Sequence, residues 1–321
     1  MNPTTWRGLT PYCSSPGANR LRIGAALTNA RAPLARCYRF ESVLVGEQGA
    51  GRWRIRFAIP RAAPPRRGIP ALWMLDGNRA LTRFDPVTLR RLSCLPVPPV
   101  LVFVDVDHTL LIDLPSRARH YTFLPADYPF LAAPGAAEEL VGGGAQELLD
   151  LLLQEAVPAV RQRVRLDDRR QVMWGHSLAG LFVLHALYAG AAWFTGFAAA
   201  SPSLWWGQGA LLGEPERRFV ARRPHQSAHL WLLLGGAERA GQIDARRRLD
   251  CDRAALLSAI QGAPADAAHH LAGRLATLPG LAVRYREFPA LHHAAVFQAS
   301  LRAVLRDVAG LPIRGRHGRR V

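Results

Sequence analysis

The segment Gln171-Val172-Met173-Trp174-Gly175-His176-Ser177-Leu178-Ala179-Gly180 carries the pattern G-x-S-x-A at a strand–turn–helix junction. A sharp turn there lifts a hydroxyl above the edge of a sheet. Small residues around it (Gly175, Ala179, Gly180) keep strand and helix from clashing. Glycine is usual at position 179, so the turn must absorb one extra methyl. A serine hydroxyl is a poor nucleophile until a base removes its proton. In this layout the base comes from the loop after the last strand. Pro289-Ala290-Leu291-His292-His293 follows the strand expected over residues 282–288. The residues alone leave open which of the two histidines it is. They also allow Ser177 to be an ordinary helix N-cap.

These groups need a scaffold, and the patterning supplies one. Arg52 to Ile59 reads R-W-R-I-R-F-A-I, a period-2 strand with one wet face. Residues 71–75 and 100–106 are short apolar runs of the kind buried in a parallel sheet. Further strands are expected at 171–174, 194–200, 230–234 and 282–288. Helices are expected at 145–164, kinked at Pro158, and at 178–189, 253–261 and 266–275. Strands alternating with helices predict an α/β fold, a mostly parallel sheet covered on both faces. One catalytic domain is expected over 38–309, between an Arg-rich N-terminal extension (1–37) and a basic tail (310–321).

The balance of 41 basic and 24 acidic residues gives +17, and every basic residue is arginine. Absence of lysine beside abundant Ala, Gly and Pro points to GC-rich coding, so the charge alone does not argue for nucleic acid. No helix-turn-helix, zinc-finger or aromatic RNA-binding signature is present. The positive field favours anionic ligands. Four cysteines (Cys13, Cys37, Cys94, Cys251) are too few and too scattered for a disulfide framework or a metal knuckle. No metal or cofactor is expected. No apolar run reaches the roughly 18 residues of a membrane span, and no secretory pattern opens the chain, so the cytoplasm is expected.

Five blocks together resemble the siderophore esterases of the α/β-hydrolase superfamily, which cleave enterobactin and salmochelin. They are Ala71-Leu72-Trp73-Met74-Leu75-Asp76-Gly77-Asn78, the stretch from Leu114 to Thr122, Gly175 to Phe182, Ser201-Pro202-Ser203-Leu204-Trp205-Trp206, and Leu291 to Leu301. The resemblance implies an α/β-hydrolase fold and a serine esterase that opens an anionic siderophore through an acyl-serine, the iron arriving with the substrate. His293 matches the family's catalytic histidine, with His292 as an extra ring beside it. The acid is expected after the strand at 230–234: Glu238, with Asp244 in reserve. Related mycolyl-transferring hydrolases place glutamate there, while some siderophore esterases work with a serine–histidine pair alone.

The resemblance further implies an oxyanion hole from the backbone N–H groups of Leu178 and Asn78. Gly77 would let that loop approach the substrate, and Asp76 would be structural. Arg117 would hold an anionic group by a forked pair of hydrogen bonds. His176 and His292 would face the substrate, and Trp205 and Trp206 would form an aromatic wall for catechol rings. The same triad would also serve another carboxylesterase or an acyltransferase, and the fold alone would serve a non-catalytic binding protein.

Overall fold

Eight strands form one sheet whose central strands are apolar on both faces and must be covered on both. They are β1 (Tyr38–Val45), β2 (Trp53–Pro60), β3 (Ile69–Met74), β4 (Val100–Val106), β5 (Leu166–His176), β6 (Gly196–Ala200), β7 (Ala228–Gly235) and β8 (Leu281–Phe288). The computed structural model describes residues 37–47, 51–123, 142–222, 227–239 and 264–310. The sheet order is β1-β2-β4-β3-β5-β6-β7-β8. The β1–β2 and β2–β4 pairs are antiparallel, and every later pair is parallel. The parallel strands therefore end on one edge of the sheet.

Helices α1 (Gly77–Leu81), α2 (Pro86–Ser93), α3 (Leu114–Tyr121), α4 (Ala145–Leu151), α5 (Val157–Arg161) and α6 (Leu178–Ala189) lie among and after the first five strands. Later come α7 (Trp206–Gly209), α8 (Glu214–Arg222), α9 (Gly236–Arg239), α10 (Ala267–Leu275) and α11 (His293–Val308). Successive side chains of a strand point to opposite faces. Trp73, Met173, Phe197 and Ala199 thus join α6 in one buried layer. Leu72, Met74, Trp174, Ala198 and Ala200 join α11 in the other. Helix α6 is buried almost all round, as its lack of a polar face requires.

Several expectations need correcting. The kink foreseen at Pro158 is instead a π-helical turn at Leu152–Ala156, joining α4 to α5. Pro158 has no N–H to give, and the preceding Val157 N–H reaches back five residues to the Leu152 carbonyl. Strand β5 starts earlier than residue 171, because Leu166 pairs with Ile69 before a register shift across the charged run Asp167-Asp168-Arg169-Arg170. The helix expected at 253–261, the reserve acid Asp244 and both terminal extensions lie outside the described residues.

Two contacts carry the core to the functional edge. The Trp174 indole N–H donates to Ser300 Oγ at 3.2 Å, and its ring meets Phe297 edge-on at 4.9 Å. Both partners lie on α11, so the register of α11 against β5 is set two residues before His176 and three before Ser177. At the other side of the turn, a Cβ on Gly175 would sit 2.3 Å from the Ala179 carbonyl oxygen. Position 175 takes no side chain because α6 passes directly over it. The G175A variant should lose about 2 kcal/mol, lowering its thermal midpoint by roughly 5 °C; differential scanning calorimetry measures it.

Candidate active site

Ser177 links the end of β5 to α6 with φ 64° and ψ −120°, a conformation that costs energy for any residue with a Cβ. Its N–H is fixed by the Ala200 carbonyl at 2.9 Å. The side chain does not cap α6, which excludes the N-cap reading. The alanine at 179 is tolerated because Gly175 offers no side chain against it.

The loop after β8 brings His293 to this edge as the first residue of α11. Glu238 arrives from α9, directly after β7. His293 Nδ1 lies 2.8 Å from Glu238 Oε2. A carboxylate accepts, so Nδ1 carries the proton and Nε2 keeps its lone pair. The other carboxylate oxygen, Oε1, accepts from Ser201 Oγ at 2.7 Å and from the Gly235 N–H at 3.1 Å. Glu238 is held by three donors, from the residue after β6, the end of β7 and the start of α11, of which the sequence placed only His293.

The Ser177 hydroxyl is hydrogen-bonded to Ser203 Oγ at 3.2 Å and, among the described residues, to no imidazole. Catalytic hydrogen bonds are often incomplete before substrate binds. Ser201 and Ser203 are the functional candidates the sequence reading missed. Their signal was the S-P-S stretch at the end of β6, where hydroxyls without a neighbouring base carried no message of their own.

Three expected substrate contacts turn out differently. Arg117 spends its fork internally: Nε and one terminal nitrogen bind Asp76 at 2.7 and 3.1 Å, and the latter nitrogen also reaches the His176 carbonyl at 3.2 Å. Its side chain is 12% exposed, so it braces the turn before Ser177 instead of holding an anion. Asp76 is structural as expected, but through this ion pair and not through a cap. His176 is 2% exposed and lies behind His293, their ring centroids 4.6 Å apart. Its Nε2–H donates to the His293 carbonyl at 2.8 Å. Burial first, then the coulombic influence of the neighbouring His293 and Arg79, hold its pKa well below the ordinary range. Trp206 is 1% exposed and belongs to the core; Trp205 is half-buried at its surface. His292 is half-buried at the head of α11.

The oxyanion loop also differs. The Asn78 N–H donates to Asp105 Oδ2 at 2.7 Å, so it is spent. The Asn78 side chain is gripped as well, accepting from Arg56 at 2.8 Å and donating to the carbonyls of His108 (3.1 Å) and Leu110 (2.9 Å). The neighbouring Gly77 N–H has no partner among the described residues, nor has the Leu178 N–H. Gly77 lacks a side chain because a Cβ would meet the β4 backbone at 2.7 Å, not because the substrate comes close.

A family model described as "Putative esterase" matches residues 126–308. The chain belongs to the putative esterase family. The esterase is 33% identical to the apo-salmochelin esterase of Escherichia coli O6:H1 over 273 residues, covering 84% of this chain and 78% of that protein. It is 27% identical to the ferri-bacillibactin esterase BesA of Bacillus subtilis, covering 75% of this chain and 85% of the relative. Among solved structures, the enterobactin hydrolase IroE in complex with DFP superposes with a TM-score of 0.61 at 30% identity, over 85% of this chain and 96% of that one. With the family comes the chemistry: this is a serine hydrolase acting on carboxylic esters, on an α/β-hydrolase fold. No helix among the described residues is long and apolar enough to cross a membrane.

Replacing Glu238 by alanine should lower kcat at least about a hundredfold, since the imidazole loses both its tautomer and its counter-charge. S201A, which leaves the acid with two donors, should lower it about tenfold; steady-state ester hydrolysis compares the two. A separate expectation concerns Asp105. Burial pushes its carboxyl up to about 8, against the N–H bonds from Asn78 and Val106, with Asp76 adding to the rise and Arg56 opposing it. A carboxyl raised in the folded state stabilises below its unfolded pKa of about 4, and that contribution is lost as pH rises through about 8. D105N should therefore gain stability relative to the wild type between pH 5 and pH 9, read by urea denaturation at both.

Proposed function

We propose that this esterase hydrolyses the ester bonds of a catecholate siderophore, with Ser177 as nucleophile, His293 as base and Glu238 as the orienting acid. The observation that carries the assignment is the Nδ1–carboxylate bond of 2.8 Å between His293 and Glu238, at the sheet edge where Ser177 follows β5. His293 takes the Ser177 proton at Nε2 as Oγ attacks the ester carbonyl. The N–H groups of Leu178 and Gly77 receive the developing oxyanion, Gly77 replacing Asn78 in that role. One such donor is typically worth about 3 kcal/mol in the transition state. The alcohol leaves with the proton from His293. Water then repeats the sequence on the acyl-enzyme and restores Ser177.

Relatives whose names specify salmochelin, enterobactin and bacillibactin support the substrate class. The net charge of +17 suits an anionic tris-catecholate. His292, half-buried beside His293, and Trp205, half-buried two residues after Ser203, are the proposed substrate contacts. Any iron enters as part of the substrate.

Wild-type enzyme should hydrolyse p-nitrophenyl esters, and S177A should fall at least about a thousandfold. Chromatography of enterobactin digests, with and without ferric iron, should show linear trimer, dimer and monomer. Turnover of p-nitrophenyl esters with enterobactin left intact would sink the siderophore reading and leave the esterase.

A further inference from the structure

Ser203 is 1% exposed and is locked to the nucleophile twice. Its N–H donates to the Ser177 carbonyl at 3.1 Å, and its Oγ lies 3.2 Å from Ser177 Oγ. Its own carbonyl accepts from the Trp206 N–H at 3.0 Å, tying the loop to a core tryptophan. Among the described residues the Ser203 hydroxyl has no other hydrogen-bond partner. A buried hydroxyl proton without an acceptor is costly, and the one acceptor in reach is Ser177 Oγ. In the proposed mechanism the Ser177 proton passes to the imidazole of His293. Either oxygen can donate in the resting bond; once His293 holds the Ser177 proton, only Ser203 can.

We propose that Ser203 is a fourth catalytic group, a donor to the nucleophile's oxygen in both halves of the reaction. The proposal rests on Ser177 being the nucleophile. Between two neutral hydroxyls at 3.2 Å the bond is long and weak. As His293 removes the Ser177 proton and the Oγ–carbon bond forms, negative charge passes through Oγ, and the bond becomes charge-assisted and stronger. In the acyl-enzyme Oγ is an ester oxygen and a poor acceptor. In deacylation water adds, the Oγ–carbon bond breaks, and the electron pair returns to Oγ. Ser203 again donates until His293 gives the proton back. Ser203 keeps its own proton throughout. An interaction that strengthens only in the transition state raises kcat and leaves KM alone.

The test is the series S203A and S203C, assayed with p-nitrophenyl butyrate, with thermal midpoints measured alongside. S203A should lose roughly tenfold in kcat at unchanged KM. S203C, whose thiol is a weaker donor, should fall between alanine and serine. A kcat for S203A within twofold of wild type, or above it, would overturn the proposal. So would a change confined to KM, or a cysteine variant no faster than alanine. If S203A fails to fold, S203C decides alone: a rate equal to wild type overturns the proposal and a lower kcat at equal KM supports it. Fluorophosphonate labelling of wild type but not S177A tests the nucleophile separately, so the two ideas fail independently.

Discussion

One carboxylate saturated by donors organises the catalytic edge. Glu238 takes Ser201 and Gly235 on one oxygen and His293 on the other. The first two leave that oxygen no slack to rotate, so the second oxygen can face only the imidazole. Each donor comes from a different strand end: β6, β7 and the loop after β8. Residues far apart in sequence converge because parallel strands all terminate on one side. The acid is therefore as much a product of sheet topology as the serine.

A second polar knot lies beneath the nucleophile. Asp76 lies just beyond β3, Arg117 comes from α3, and the His176 carbonyl precedes Ser177. Burying such a pair costs desolvation on both sides, and removing one partner typically costs about 3–5 kcal/mol. What the pair gives in return is geometric: it ties the loop after β3 to the strained turn at Ser177, and with them the Gly77 and Leu178 N–H groups proposed as the oxyanion hole. Asn78 serves the same end from the other side, with backbone and side chain both consumed by β2, β4 and the loop beyond.

Much of this could be read from the chain. The strand–turn–helix context of Ser177, the late histidine and the glutamate after β7 all rest on local patterns in a fixed order, and the structure brings His293 and Glu238 together. The alternation of strands and helices was equally legible. The roles that shifted depend on partners remote in sequence. Arg117 reads as an anion clamp until Asp76, a separation of 41 residues, occupies its fork. Asn78 reads as a free amide until Asp105, inside the apolar run of β4, claims it. Trp206 and His176 read as pocket residues because burial has no signature in a loop motif. Ser201 and Ser203 were overlooked because a hydroxyl announces nothing until its neighbour is known.

His176 has a consequence for how the enzyme carries charge through a turnover. In the proposed mechanism each cycle makes an imidazolium of His293 twice, with the His176 ring tilted against it at 4.6 Å. A ring able to protonate would put a second cation against the first and discourage each from forming. Burial keeps the rear ring neutral, and its single proton is committed to the His293 carbonyl. The front ring can therefore charge and discharge alone, with Glu238 as its counter-ion and an aromatic, unchargeable wall at its back.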